Sequence, residues 1–196
     1  MGVDTCAIIE NKLPETELRT LAQRLNASAA LRDLMLEYDV ALRADCRGVR
    51  TALHTELWKT EWLRSELVKI GWEADYLAAF DGPFGALRVH EHLAELSLWI
   101  KWRPFLTETR LAQPLLKATS VIAGMLTNDS PKIGVFVPDS TYSVQVALDK
   151  LDETMPALLS YLQDTFGAPA ASLAEIMGED EQPSHRGYFV ARWSDR

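Results

Sequence analysis

Much of what would classify this sequence quickly is missing from it. Two cysteines, Cys6 and Cys46, are too few for a disulfide framework. The opening Met1 to Cys6 has neither the basic region nor the long apolar run of a secretory signal, so a reducing, cytoplasmic setting is the expectation. No apolar stretch reaches the roughly 20 residues that cross a bilayer, because Leu115 to Leu126 is broken by Lys117, Thr119 and Ser120. No membrane partner is expected. Positive charge is also in deficit: the formal net charge of −8 argues against nucleic-acid binding, which needs Lys and Arg to neutralise phosphates.

Catalytic motifs are equally scarce. There is no Gly-x-Ser-x-Gly elbow, and neither cysteine lies in a recognised catalytic context; Cys6, inside an apolar run, reads as an inert core thiol. The stretch Gly82-Pro83-Phe84-Gly85 lacks both the P-loop lysine and the dinucleotide spacing. Asp139 and Ser140, at a strand end, read as helix caps. No cofactor is expected.

What is present is the composition of a folded domain. The chain has 196 residues, 47% hydrophobic and 24% charged, long enough to bury a core without covalent staples. It reads as one domain over 1–196, helix-rich through 80 and mixed from 86, with the turn cluster Asp81 to Gly85 between and no linker.

Thr5 to Glu10 forms an apolar run that predicts a first strand. Pro14, Glu15 and Glu17 open a helix whose apolar stripe is Leu18, Leu21, Ala22 and Leu25. Ser28 caps a second, with Leu31, Leu34, Met35, Tyr38 and Leu42 on one face. Residues 49–58 alternate like a strand, yet the good helix formers through Ile70 favour helix. That reading turns Leu53, Leu57, Leu63 and Leu67 inward and puts Trp58 and Trp62 together on another face.

Further on, Ala86 to His92 and Leu96 to Arg103 predict an antiparallel hairpin, followed by a helix from about Pro114 to Leu126 and a strand at Lys132 to Val137. The stripe from Val144 to Phe166 is a long helix that Pro156 should kink or split. Ser172 to Glu175 is a capping box, and Tyr188 to Trp193 a last strand tied into the sheet. The fold class expected is α+β, a mixed or mainly antiparallel sheet with amphipathic helices packed mostly on one side.

Three features carry functional readings. Between Asp149 and Glu181 stand eight acids (Asp149, Asp152, Glu153, Asp164, Glu175, Glu179, Asp180, Glu181) against Lys150, a balance of −7 that leaves −1 for everything else. Such a face recruits a basic partner, although a solvated helix face and loop would carry the same residues. Tryptophan is abundant, with six in the chain; Trp58, Trp62, Trp99 and Trp102, near Lys101 and Arg103, serve equally as binding anchors or as core. If Trp99 and Trp102 lie on one strand they point to opposite faces. Finally, His90 and His92 would share a sheet face if extended and could grip a metal ion with a third ligand, whereas in a helix their rings diverge.

The leading expectation is a small intracellular non-catalytic binding or regulatory protein that neutralises a basic protein through Asp149, Asp152 and Glu153, with Trp58, Trp62, Trp99 and Arg103 as contacts. The alternative is a metal-assisted or ligand-binding enzyme domain using His90 and His92. A homo-oligomer sealed by tryptophans is a third possibility.

Overall fold

The computed structural model describes residues 4–45, 57–72, 75–139, 153–176 and 187–194. Its elements, in chain order, are β1 (Asp4–Glu10), α1 (Glu15–Ala27), α2 (Ala29–Asp45), β2 (Lys59–Leu63), α3 (Arg64–Lys69), β3 (Ala78–Asp81), β4 (Gly85–Val89), β5 (Leu93–Lys101), α4 (Trp102–Thr107), α5 (Thr109–Leu126), β6 (Lys132–Asp139), α6 (Met155–Phe166), α7 (Leu173–Ile176) and β7 (Phe189–Trp193). The fold is α+β. The seven strands among the described residues form one antiparallel sheet in the order β2-β3-β4-β5-β1-β6-β7.

β1 lies within the sheet and is buried on both faces, which is why its sequence is a continuous apolar run rather than an alternation. Ala7 and Ile9 face the main core, where they meet Leu18, Leu21 and Leu25 of α1, Leu31 of α2 and Leu115 and Ile122 of α5. Cys6 and Ile8 face a smaller core built from Val135 and Val137 of β6, Met155, Leu158 and Leu162 of α6, and Tyr188. The helices therefore gather mostly on one side, with α6 opposite. Tyr188 ties the last strand down: its hydroxyl donates to the Gly167 carbonyl at 2.9 Å, and burial raises its pKa above the ordinary phenol value.

Two sequence expectations about these elements need correction. The helix favoured through Ile70 is absent from the described part: residues 59–63 form the strand β2 and only 64–69 are helical, while residues 49–56 lie outside the described residues. The reason is tertiary. The side chain of Asn26, near the end of α1, accepts from the Trp58 N–H and donates to the Trp58 carbonyl, each at 2.8 Å, as a neighbouring strand would. Leu63 and Leu67 are buried as expected, but Leu57 is exposed.

Second, β5 stops at Lys101, and Trp102 begins α4 instead of continuing a strand to Arg103. There its ring stacks on Phe105, one helical turn away, with centroids 5.8 Å apart. Pro156 sits in the first turn of α6, where a missing N–H breaks no hydrogen bond; the apolar positions 144–152, against which the expected kink or junction would fall, lie outside the described residues.

Removing the clamp has a defined cost. Asn26→Ala leaves two backbone groups of partly shielded Trp58 unpaired, and urea denaturation should show a loss of about 2 kcal/mol. An unchanged midpoint would mean that β2 is held without it.

Candidate functional site

Directly paired residues in an antiparallel sheet share a face, so the strand register defines the surface opposite the main core. One row runs across the whole sheet: Trp62, Ala79, Arg88, Glu95, Ile8, Val135 and Val190. A parallel row holds Lys59, Asp81, Ala86, Ser97, Cys6 and Val137. Over β1, β6 and β7 these rows are apolar and lie beneath α6. Over β2 to β5 they turn polar and aromatic, and Trp62, Arg88, Trp99 and Lys101 are exposed there.

The open half is electrostatically self-satisfied. Glu95 is buried, yet its carboxylate meets Arg88 Nη1 at 3.4 Å from each oxygen and accepts the Ser97 hydroxyl at 2.7 Å. Lys101 reaches Asp4 at 2.7 Å. Paired in this way, the buried charge avoids the cost that a lone carboxylate would incur out of water.

Trp99 is fixed in place. Its indole N–H donates to the Gly82 carbonyl at 2.8 Å, its backbone N–H to Phe84 at 2.9 Å, and its carbonyl accepts the Tyr38 hydroxyl at 3.2 Å. It remains 40% exposed, and Trp62 44%. With three strand spacings between β2 and β5 and four residues along β5, the two indoles stand about 20 Å apart.

The structure separates the other expected contacts from this pair. Trp58 is buried against Gly82, where a β-carbon would come within 2.3 Å of its ring, so it does not share a face with Trp62. Arg103 is exposed on α4, which packs with the main core. Glu153 is exposed just before α6, whereas Asp149 and Asp152 lie outside the described residues, as do Cys46, Ser140 and residues 177–186.

His90 to His92 form the turn between β4 and β5 rather than the extended segment expected. His90 is buried, with Nδ1 2.9 Å from the Asp75 carbonyl; His92 is exposed. Asn11 organises this turn: its side chain donates to the His90 carbonyl at 2.8 Å and its backbone N–H to the His92 carbonyl at 2.9 Å. Among the described residues no group of three or more His, Cys, Asp or Glu is placed to hold a metal ion. None of the described helices is long and apolar enough to cross a membrane.

Comparison with protein-family models, with curated proteins and with solved structures finds no match to this chain. Its chemistry therefore has to be judged from its own residues. A depression of about 340 Å³ lies between the end of α2 and the start of α5, lined by Ala41, Ala44, Thr107, Glu108, Arg110 and Leu111. Its polar side chains are all exposed to solvent, so no desolvated group defines a substrate there. The open half of the sheet is the better-built surface. Sequence reasoning picked out Trp62 and Trp99 individually. It missed Arg88, Glu95 and Ser97, whose only signal was a charged and hydroxylated alternation along β4 and β5 that resembles any solvent-facing strand.

Proposed function

We propose that this chain is a non-catalytic intracellular binding protein that holds a basic protein partner against the open half of its sheet. The observation that carries the reading is the pair of half-exposed indoles, Trp62 and Trp99, on one charge-paired strand face, with the Trp99 indole anchored to the Gly82 carbonyl. Aromatic side chains already fixed before binding lose little entropy on contact, and they dominate interface energetics. About 20 Å between anchors suits an interface of standard size, roughly 800 Å² per partner. The basic character of the partner is supported by the charge: a net −8, of which −7 falls between Asp149 and Glu181 and includes Asp149, Asp152 and Glu153.

Affinity capture from the native cell lysate tests this. The full chain should retain a basic protein that raised salt releases. Trp62→Ala with Trp99→Ala should weaken that complex by about 4 kcal/mol if each anchor contributes about 2, with the circular dichroism spectrum unchanged. Equal retention by the double variant, or a captured protein that is acidic and indifferent to salt, would remove this proposal.

A further inference from the structure

Two side chains of the open half converge on Gly82. The Trp99 indole N–H donates to the Gly82 carbonyl at 2.8 Å, and Asp81 Oδ1 accepts the Gly82 N–H at 3.1 Å. Indole and carboxylate are therefore held by the two ends of one residue, on the face that Asp81 shares with Lys59 and Ala86. Both remain accessible, Trp99 as an exposed ring and Asp81 half-buried.

What each group still offers fits a cation. With its N–H already bonded, the indole presents its ring, and the face of that ring attracts positive charge. Asp81 keeps Oδ2 and can only accept. Among the described residues no cation forms an ion pair with it, although Lys59 stands opposite in the register. The other cations of this face are engaged: Lys101 with Asp4 at 2.7 Å, Arg88 with Glu95 at 3.4 Å, and Lys59 in an interaction of its own. A guanidinium suits the pair better than an ammonium. It is flat, so it stacks on an indole while its edge donates to a carboxylate, whereas an ammonium is a point charge that does not stack.

We infer that Trp99 and Asp81 form a subsite for one arginine side chain of a basic protein partner, the guanidinium lying on the indole face with its edge on the Asp81 carboxylate. This subsite rests on the reading of the open half as the seat of such a partner, and it names the group that the Trp99 anchor receives. Gly82 positions both members before the arginine arrives, so little ordering is left to the encounter.

The probes are two short peptides, acetyl-Gly-Arg-Gly-amide and acetyl-Gly-Lys-Gly-amide, titrated into the full chain while the Trp99 indole N–H and the Gly82 amide are followed by NMR. The arginine peptide should shift both resonances saturably and bind about threefold tighter than the lysine peptide. Asp81→Asn keeps an oxygen for the Gly82 N–H, so Trp99 stays in place while the charge is lost. It should weaken the arginine peptide about fivefold and remove its advantage over lysine. An unmoved Trp99 indole resonance in the peptide-free variant verifies its fold, and the comparison of the two peptides on the wild-type chain stands even without that variant. Equal affinity for the two peptides, shifts that bypass Trp99 and Gly82, or undiminished binding by a folded Asp81→Asn overturns the subsite. Capture from lysate separates the two levels. A basic protein held equally well by Asp81→Asn sinks the subsite and leaves the reading of the surface; peptide binding as expected with no basic protein captured sinks that reading and leaves the arginine subsite standing.

Discussion

Phe136→Ala is expected to lower the stability of this protein by about 4 kcal/mol, among the largest losses any single side-chain truncation would cause. Phe136 projects from β6 into the main core and is fully buried. Its ring centroid stands 5.5 Å from Phe105, 6.2 Å from Phe189 and 6.4 Å from Trp193. Phe105 in turn stacks on Trp102. One ring thus joins α4 to the terminal strand β7, and its removal empties a space that neither the sheet backbone nor the three flanking rings can fill by collapse. Gly134 supports the arrangement, since a β-carbon there would lie 2.5 Å from the Trp193 ring. Guanidinium denaturation checks the magnitude, and amide exchange should show β7 losing protection first. Phe136→Leu, which keeps most of the volume, should cost about 1.5 kcal/mol. A loss below about 1 kcal/mol for the alanine variant would contradict the stacking described.

The parts of this fold legible in the sequence are those where local pattern and tertiary environment agree. Leu18, Leu21 and Leu25, or Leu31, Leu34 and Tyr38, recur at helical spacing and are buried at that spacing. The run from Cys6 to Ile9 announces a strand covered on both sides. Legibility fails where a distant group decides. Trp58 and Trp62 are four apart among good helix formers, and nothing nearby reveals that Asn26 will bond both backbone groups of Trp58. Trp102 continues the alternation of β5 in sequence, yet the ring of Phe105 gives it a better neighbour in a helix. The imidazoles of His90 and His92 part because Asn11, some eighty residues earlier in the chain, shapes the turn that carries them. For the candidate site, the tryptophans were visible as residue types, while their common face depended on the register of four strands.

Gly85→Ala should produce the second large effect, a loss of about 3 kcal/mol or more, and it acts on the candidate site as well as on stability. The demand at this position is for space. A β-carbon on Gly85 would lie 2.2 Å from the Ser97 carbonyl oxygen, 2.8 Å from its carbon and 3.0 Å from the Leu98 α-carbon. These are backbone atoms of the paired strand, which no rotamer change can move aside, so β4 and β5 must separate at the pair Gly85 and Leu98. That separation falls where Trp99 is held: its N–H bonds to Phe84, its indole to Gly82, and the Gly82 N–H to Gly85 itself at 3.2 Å. Gly71→Ala is the contrasting variant, because its positive φ of 77° makes alanine strained although no neighbour lies within 4 Å. It should cost only about 1 kcal/mol and leave Trp99 alone. Thermal melts followed by tryptophan fluorescence separate the two. At a temperature where Gly85→Ala is still folded, its fluorescence should differ from wild type and its partner affinity should fall, while Gly71→Ala matches wild type in both. A Gly85→Ala variant that melts and binds as wild type does would mean that the β4–β5 approach is not what orients Trp99.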